Sequence, residues 1–235
     1  MKSIIDEIRT KLKHSIDEKS QATSQNFFKE KIKCYGVKTP TVNKISKEYF
    51  KLIDSKTKSE IFDLCEILWQ SGFIEESFIA CNWSYYIHKK YESGDFQIFE
   101  KWINNYVNNW ASCDKLCNHT IGEFIEMYPE YLVRLKDLAK SDNRWLRRAS
   151  SVTLIKPAKK GKFLSEILEI ADILLLDKDD LVQKGYGWML KVASEANKKE
   201  IFEYVIKNKA TMPRTALRYA IEKMPKDLKN KAMER

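Results

Sequence analysis

Trp110 and Asp114 stand four residues apart in the run Trp110-Ala111-Ser112-Cys113-Asp114. On a helix that spacing puts an indole and a carboxylate on one face. A ring face attracts positive charge and a carboxylate stabilises it directly, so the pair suits a cationic group or a sugar acquiring charge in a transition state. The same spacing also fits a core Trp followed by a solvated Asp, and alone it does not separate the two. Further residues bear on the choice. Trp145-Leu146-Arg147-Arg148-Ala149 sets two arginines in mid-helix, as ordinary surface charge or as an anion contact. The run from Val182 to Leu190 carries Lys184 and Trp188 with glycines at 185 and 187. Glycine inside a helix costs about 1 kcal/mol relative to alanine, which is understandable where something must approach closely.

Other chemistries lack their residues. His14, His88 and His119 are far apart and belong to no metal-binding pattern. Cys113 and Cys117 sit one helical turn apart with no second pair to answer them, which reads as packing. There is no GxGxxG, no P-loop and no nucleophile elbow, and Gly185-Tyr186-Gly187 is too short for a phosphate loop. No metal and no cofactor are expected.

The elements that must carry these residues read as helices. Ile4, Ile5, Ile8 and Leu12 recur with helical period, as do Ile61, Leu64, Cys65 and Leu68, and Ile98, Trp102, Ile103 and Tyr106. Pro129 reads as a first-turn proline, and Ser141-Asp142-Asn143 and Asp177 to Asp180 read as caps for the helices that follow. Met212-Pro213 interrupts the chain before a helix near Arg214. With 7 Gly and 5 Pro there is little material for the tight turns of a sheet protein. Ala80, Asp114, Arg148, Lys184 and Arg218 align at intervals of 34, 34, 36 and 34 residues, the spacing of one helix pair per repeat. If the second helix of each pair lines a concave wall, one carboxylate and three basic residues meet there, a pattern suited to a phosphate backbone and one reactive group.

Charge points the same way. Ser141–Arg235 holds 21 Lys+Arg against 13 Asp+Glu, a balance of +8 within the total of +9. A basic half suits an anionic partner, most simply nucleic acid, although Lys-rich chains are often basic without one. The opening Met1-Lys2-Ser3-Ile4-Ile5-Asp6-Glu7 turns acidic at once without an apolar run, no stretch approaches a membrane span, and five unpaired cysteines suit a reducing compartment. The expectation is a cytoplasmic protein, free of the membrane and monomeric.

Tyr35-Gly36-Val37-Lys38-Thr39-Pro40, Trp110 to Asp114, Trp145-Leu146-Arg147-Arg148-Ala149 and Gln183-Lys184-Gly185-Tyr186-Gly187-Trp188, taken in order, resemble the AlkD-like DNA glycosylases, also described as DNA alkylation repair enzymes. The resemblance covers roughly residues 20 to 195. It implies an all-α fold, a right-handed superhelical solenoid of HEAT-like antiparallel helix pairs with a concave DNA-binding face, here as a single domain over residues 1–235. It implies excision of N3- or N7-alkylated, positively charged purines from double-stranded DNA by hydrolysis of the N-glycosidic bond, as in base excision repair. Trp110, Asp114 and Trp188 would then form the catalytic cleft, and Arg148 would contact the DNA backbone. Arg147, Lys184, Arg218 and Phe27 are the further expected DNA contacts. The chain departs from the family at Phe27, often Tyr, at Asn109, often Trp, and at Ala111, often acidic. A non-catalytic HEAT-repeat DNA-binding protein of the same family, or a helical scaffold for protein partners, would use the same elements without the chemistry.

Overall fold

The computed structural model describes residues 3–234. These residues are predominantly helical and contain no strand, only an isolated bridge between Lys33 and Phe73. They divide at Leu116/Cys117 into two compact units.

In the first unit the helices are α1 (Ile4–Lys13), α2 (Glu18–Ser24), α3 (Thr39–Leu52), α4 (Lys58–Gln70), α5 (Ile74–Tyr86), α6 (Asp95–Tyr106) and α7 (Trp110–Lys115). The helical period is what buries them. Ile5, Ile8 and Leu12 of α1 face inward, as do Ile61, Cys65 and Leu68 of α4 and Trp102 and Ile103 of α6, whereas Ile4, Leu64, Ile98 and Tyr106 sit at the margins. An aromatic cluster of Phe62, Phe99 and Trp102 fills the space between α4 and α6, with ring centroids 5.6–5.8 Å apart.

The second unit holds α8 (Gly122–Met127), α9 (Leu132–Leu138), α10 (Arg144–Val152), α11 (Ile155–Lys159), α12 (Leu164–Leu174), α13 (Asp180–Ala196), α14 (Lys198–Asn208), α15 (Arg214–Ala220) and α16 (Lys226–Met233). A wide π turn, Leu116–Ile121, carries the chain from α7 into α8. Pro129 opens a short 3-10 turn that leads into α9. Asn143 caps α10 and Asp179 caps α13, each accepting from a backbone N–H of the first turn. Pro213 precedes α15.

The repeat seen in the sequence has a structural counterpart. Trp110, Arg144, Asp180 and Arg214 open α7, α10, α13 and α15 at intervals of 34, 36 and 34 residues, and each of these helices follows a partner across a short connection. Asp114, Arg148, Lys184 and Arg218 are the fifth residues of the four. Ion pairs keep the same step: Lys58 with Asp95, Lys101 with Glu66, Lys136 with Glu169, Arg144 with Asp179 and Lys160 with Glu126 join residues 33 to 37 apart.

The long helix α13 packs on α10, α11, α12, α14 and α15, and its glycines allow that. A Cβ at Gly187 would lie 2.7 Å from Tyr219 Cβ and 2.9 Å from the Ala216 carbonyl of α15. At Gly185 it would lie 3.0 Å from the Ser151 hydroxyl and 3.4 Å from Arg148 Cγ, both on α10. Alanine gains about 1 kcal/mol of helix propensity at either position. At 185 a rotating hydroxyl can yield; at 187 backbone must move. Gly187→Ala is therefore expected to lose about 1–3 kcal/mol of stability as overpacking, read by urea unfolding, with Gly185→Ala much closer to neutral.

Candidate active site

Asn109 starts α7. Its side chain, buried among its neighbours, accepts from Ser112 N at 2.9 Å and its amide donates to the Ser112 hydroxyl at 3.1 Å. The Ser112 hydroxyl meets that of Ser77 on α5 at 2.7 Å. Asn109, which the family resemblance marks as a departure, is thus the cap that sets where α7 begins and which way it faces.

On the inner side of α7 Cys113 is fully buried, as is Cys117 in the turn beyond the helix. These thiols are free and belong to the core. The other side presents Trp110. Its indole N–H donates to the Phe27 carbonyl at 3.3 Å, and its ring stacks on Phe28 with centroids 5.5 Å apart and planes 26° from parallel. Phe27 itself is 70% exposed, so the backbone at 27 fixes Trp110 while the side chain faces solvent. Asp114, half-buried, follows one turn after Trp110. At 100° per residue, Trp110, Asp114, Ala111 and Lys115 fall within an arc of about 140°.

Beside this face lies a cavity of about 430 Å³. Phe27, Phe28, Phe78, Trp110, Ala111 and Lys115 are among its lining residues. Lys115 reaches over the Phe78 ring, its Nζ 5.4 Å from the centroid. Burial holds this ammonium below the ordinary lysine pKa. Cys81 is pushed up to about 12, mainly by burial, and stays a neutral thiol.

The wall opposite α7 is anchored by Glu75 of α5. Its carboxylate, 3% exposed, accepts from three successive backbone N–H groups: Tyr35 at 3.0 Å, Gly36 at 2.8 Å and Val37 at 3.1 Å. Gly36 adopts φ +89°, and a Cβ there would lie 2.4 Å from Gln21 Cβ, so no other residue fits without a shift. Next to it Glu76, fully buried, takes Arg9 in a bidentate pair and the Tyr35 hydroxyl at 2.7 Å. Burial and the Glu76 hydrogen bond raise the Tyr35 pKa strongly. Lys38 pairs with Asp17 at 2.8 Å. The Tyr35-Gly36-Val37-Lys38-Thr39-Pro40 run is thereby explained: it is a clamp that ties α2 and the residues after it to α5, next to Trp110.

The remaining expected site residues lie in the second unit. Arg147 is committed to Asp177, at 2.6 Å, and to the carbonyls of Ser141 and Asp142, both at 2.9 Å. Arg148 is 5% exposed and donates to the Leu181 carbonyl at the first turn of α13. Both arginines stand among the expected DNA contacts, and in the structure both also join α10 to the start of α13. Lys184 pairs with Asp180 at 2.8 Å, one turn back on the same helix. Trp188 is half-buried, one turn after Lys184, and Arg218 is exposed on α15. Structure thus joins Phe27 to Trp110, with Asp114 on the same helix, and Arg148 to the helix that carries Lys184 and Trp188. Sequence reasoning missed Phe28, Glu75 and Lys115. Among the described residues no helix is long and apolar enough to cross a membrane.

The family model described as DNA alkylation repair enzyme matches residues 8–224. Among solved structures, a "predicted DNA alkylation repair enzyme from Enterococcus faecalis" is similar in fold, with a TM-score of 0.79, 16% sequence identity, and coverage of 90% of this chain and 98% of that one. No curated protein matches the chain.

Proposed function

Because the chain belongs to the DNA alkylation repair enzyme family, we propose that it is a DNA glycosylase that hydrolyses the N-glycosidic bond of N3- and N7-alkylated purines in duplex DNA. The observation that carries this reading is the fixed Trp110 ring, held by the Phe27 carbonyl and the Phe28 stack, with the Asp114 carboxylate one turn away on the same helix.

The chemistry asks for little more. Glycosidic cleavage passes through an oxocarbenium-like species, and ordinary glycosidases need a second carboxylate to protonate the leaving group. An alkylated purine is already cationic and departs as a neutral base, so one carboxylate suffices. Asp114 stabilises the positive charge developing on the sugar and orients or deprotonates the attacking water. Trp110 offers its ring face to the cationic nucleotide. A fixed indole costs no reorganisation when the charge develops, which is why its hydrogen bond and stack matter. Trp188 is assigned to the same duplex as a second ring on the family resemblance, and Lys184 and Arg218 as phosphate contacts on the repeat spacing that aligns them with Asp114. Arg148 and Arg147 are assigned to the DNA backbone as well, and they also position the start of the helix that carries Trp188.

Selectivity then follows from the charge of the lesion. Methylated duplex DNA should release 7-methylguanine, while uracil, which leaves as an anion without a general acid, should be excised about 10²–10⁴-fold more slowly. The measurement is release of both bases from matched duplexes by the wild-type chain. Equal excision of uracil would sink the single-carboxylate mechanism. No release of 7-methylguanine, with DNA still bound, would favour a non-catalytic binder.

A further inference from the structure

We infer that Lys115 is a nucleophilic amine placed to form an imine with the aldehyde of an abasic deoxyribose, so that the pocket beside Trp110 also supports a strand-nicking lyase step. The inference rests on the glycosylase reading, since base removal is what generates the abasic sugar.

Lys115 differs from the ion-paired lysines of its unit. Lys38, Lys58 and Lys101 each hold a carboxylate at 2.6–2.9 Å. Among the described residues Lys115 makes no ion pair or hydrogen bond; its ammonium meets only the face of Phe78. Glu75, the acidic residue of the same cavity, already accepts from three backbone donors. Burial lowers the Lys115 pKa, so more of the neutral, nucleophilic form exists than for a solvated lysine. The amine shares an arc of α7 with Trp110 and Asp114, and with Trp110 it lines the cavity.

The step balances without a redox partner. Neutral Nζ adds to C1′ of the ring-opened sugar, and the carbinolamine loses water to give a protonated imine. A carboxylate, for which Asp114 is the neighbour on the same helix, accepts the C2′ proton. The released electron pair forms the C2′=C3′ double bond, the C3′–O bond breaks, and the phosphate leaves as the 5′-phosphate end of the downstream strand. Water hydrolyses the imine and restores the amine.

The test uses the full chain and a duplex carrying one preformed abasic site, so it does not depend on the chain's own base removal. Cyanoborohydride reduces any imine to a stable amine. The expected result is a covalent protein–DNA adduct that maps to Lys115 and falls by about tenfold or more in Lys115→Met and Lys115→Arg. Met keeps the apolar stem in the pocket and Arg keeps the charge, so loss in both reports the amine and not folding or DNA affinity; thermal melting checks each variant. An adduct undiminished in Lys115→Met, or none with wild type, overturns the inference. Release of 7-methylguanine with no adduct would leave the glycosylase reading standing and remove the lyase; an adduct at Lys115 without base release would do the reverse.

Discussion

Replacing Asp114 with Asn is expected to slow single-turnover release of 7-methylguanine by about 10²–10³-fold, the cost of one preorganised electrostatic contact with a developing charge. Asn has the same size, so the half-buried position on α7 stays filled and the cap at Asn109 and the Trp110 stack are undisturbed. What is lost is a full negative charge close to the sugar and the basic oxygen that handles water. Duplex affinity should change little, or rise slightly, because a negative group has been removed from a surface facing phosphates. The checks are quench-flow release from methylated duplex and fluorescence anisotropy on the same DNA. A rate within about threefold of wild type would remove Asp114 from the chemistry, since a positioned acid or base typically contributes about 10²-fold or more.

The largest expected effect on stability comes from a residue that touches no proposed reacting atom. Glu75→Ala should destabilise the chain by about 3–5 kcal/mol, from the loss of three buried hydrogen bonds to a charged acceptor. Three backbone N–H groups lose their acceptor at once, and an unsatisfied buried donor costs about 1–3 kcal/mol each, part of which water entering the space recovers. Gly36 holds a left-handed conformation that the carboxylate helps to fix, and the segment before Trp110's partners, Phe27 and Phe28, hangs from this clamp. Glu75→Ala should therefore lower the urea midpoint and also weaken 7-methylguanine release at temperatures where the protein remains folded. A stability change under about 1 kcal/mol would mean that the three donors are satisfied without the carboxylate.

Helix type, helix order and the repeat interval were legible because each is written locally: apolar residues three and four apart, Asn143 and Asp179 at starts, Pro213 at an interruption. Trp110 and Asp114 were legible as a pair for the same reason. The glycines at 185 and 187 signalled close approach, and the partner proved to be α10 for one and α15 for the other. Glu75 was not legible, because an acid in the first turn of a helix looks like ordinary dipole compensation and its partners lie 38 to 40 residues away. Lys115 was not, since a lysine next to an aspartate reads as solvated surface until burial is known. Two adjacent arginines advertise an anion, and nothing local reveals that Arg147 also pairs with Asp177 or that Arg148 also donates to the Leu181 carbonyl.

The ladder of ion pairs about one helix pair apart carries a kinetic consequence. Most of these contacts reach only to the next helix pair, so they can form as soon as two adjacent pairs exist and need no large loop to close. The bond from the Trp110 indole to the Phe27 carbonyl breaks that rule, with 83 residues between donor and acceptor. Arg9 and Glu76, 67 apart, break it at the same end of the first unit. Closing these loops is the slow part of assembling an otherwise local structure. The N-terminal helices therefore arrive last, and the indole acquires its orientation only on their arrival. Competence would then be the final event of folding, and the opening of those helices the first event lost on mild heating, before the repeats themselves let go.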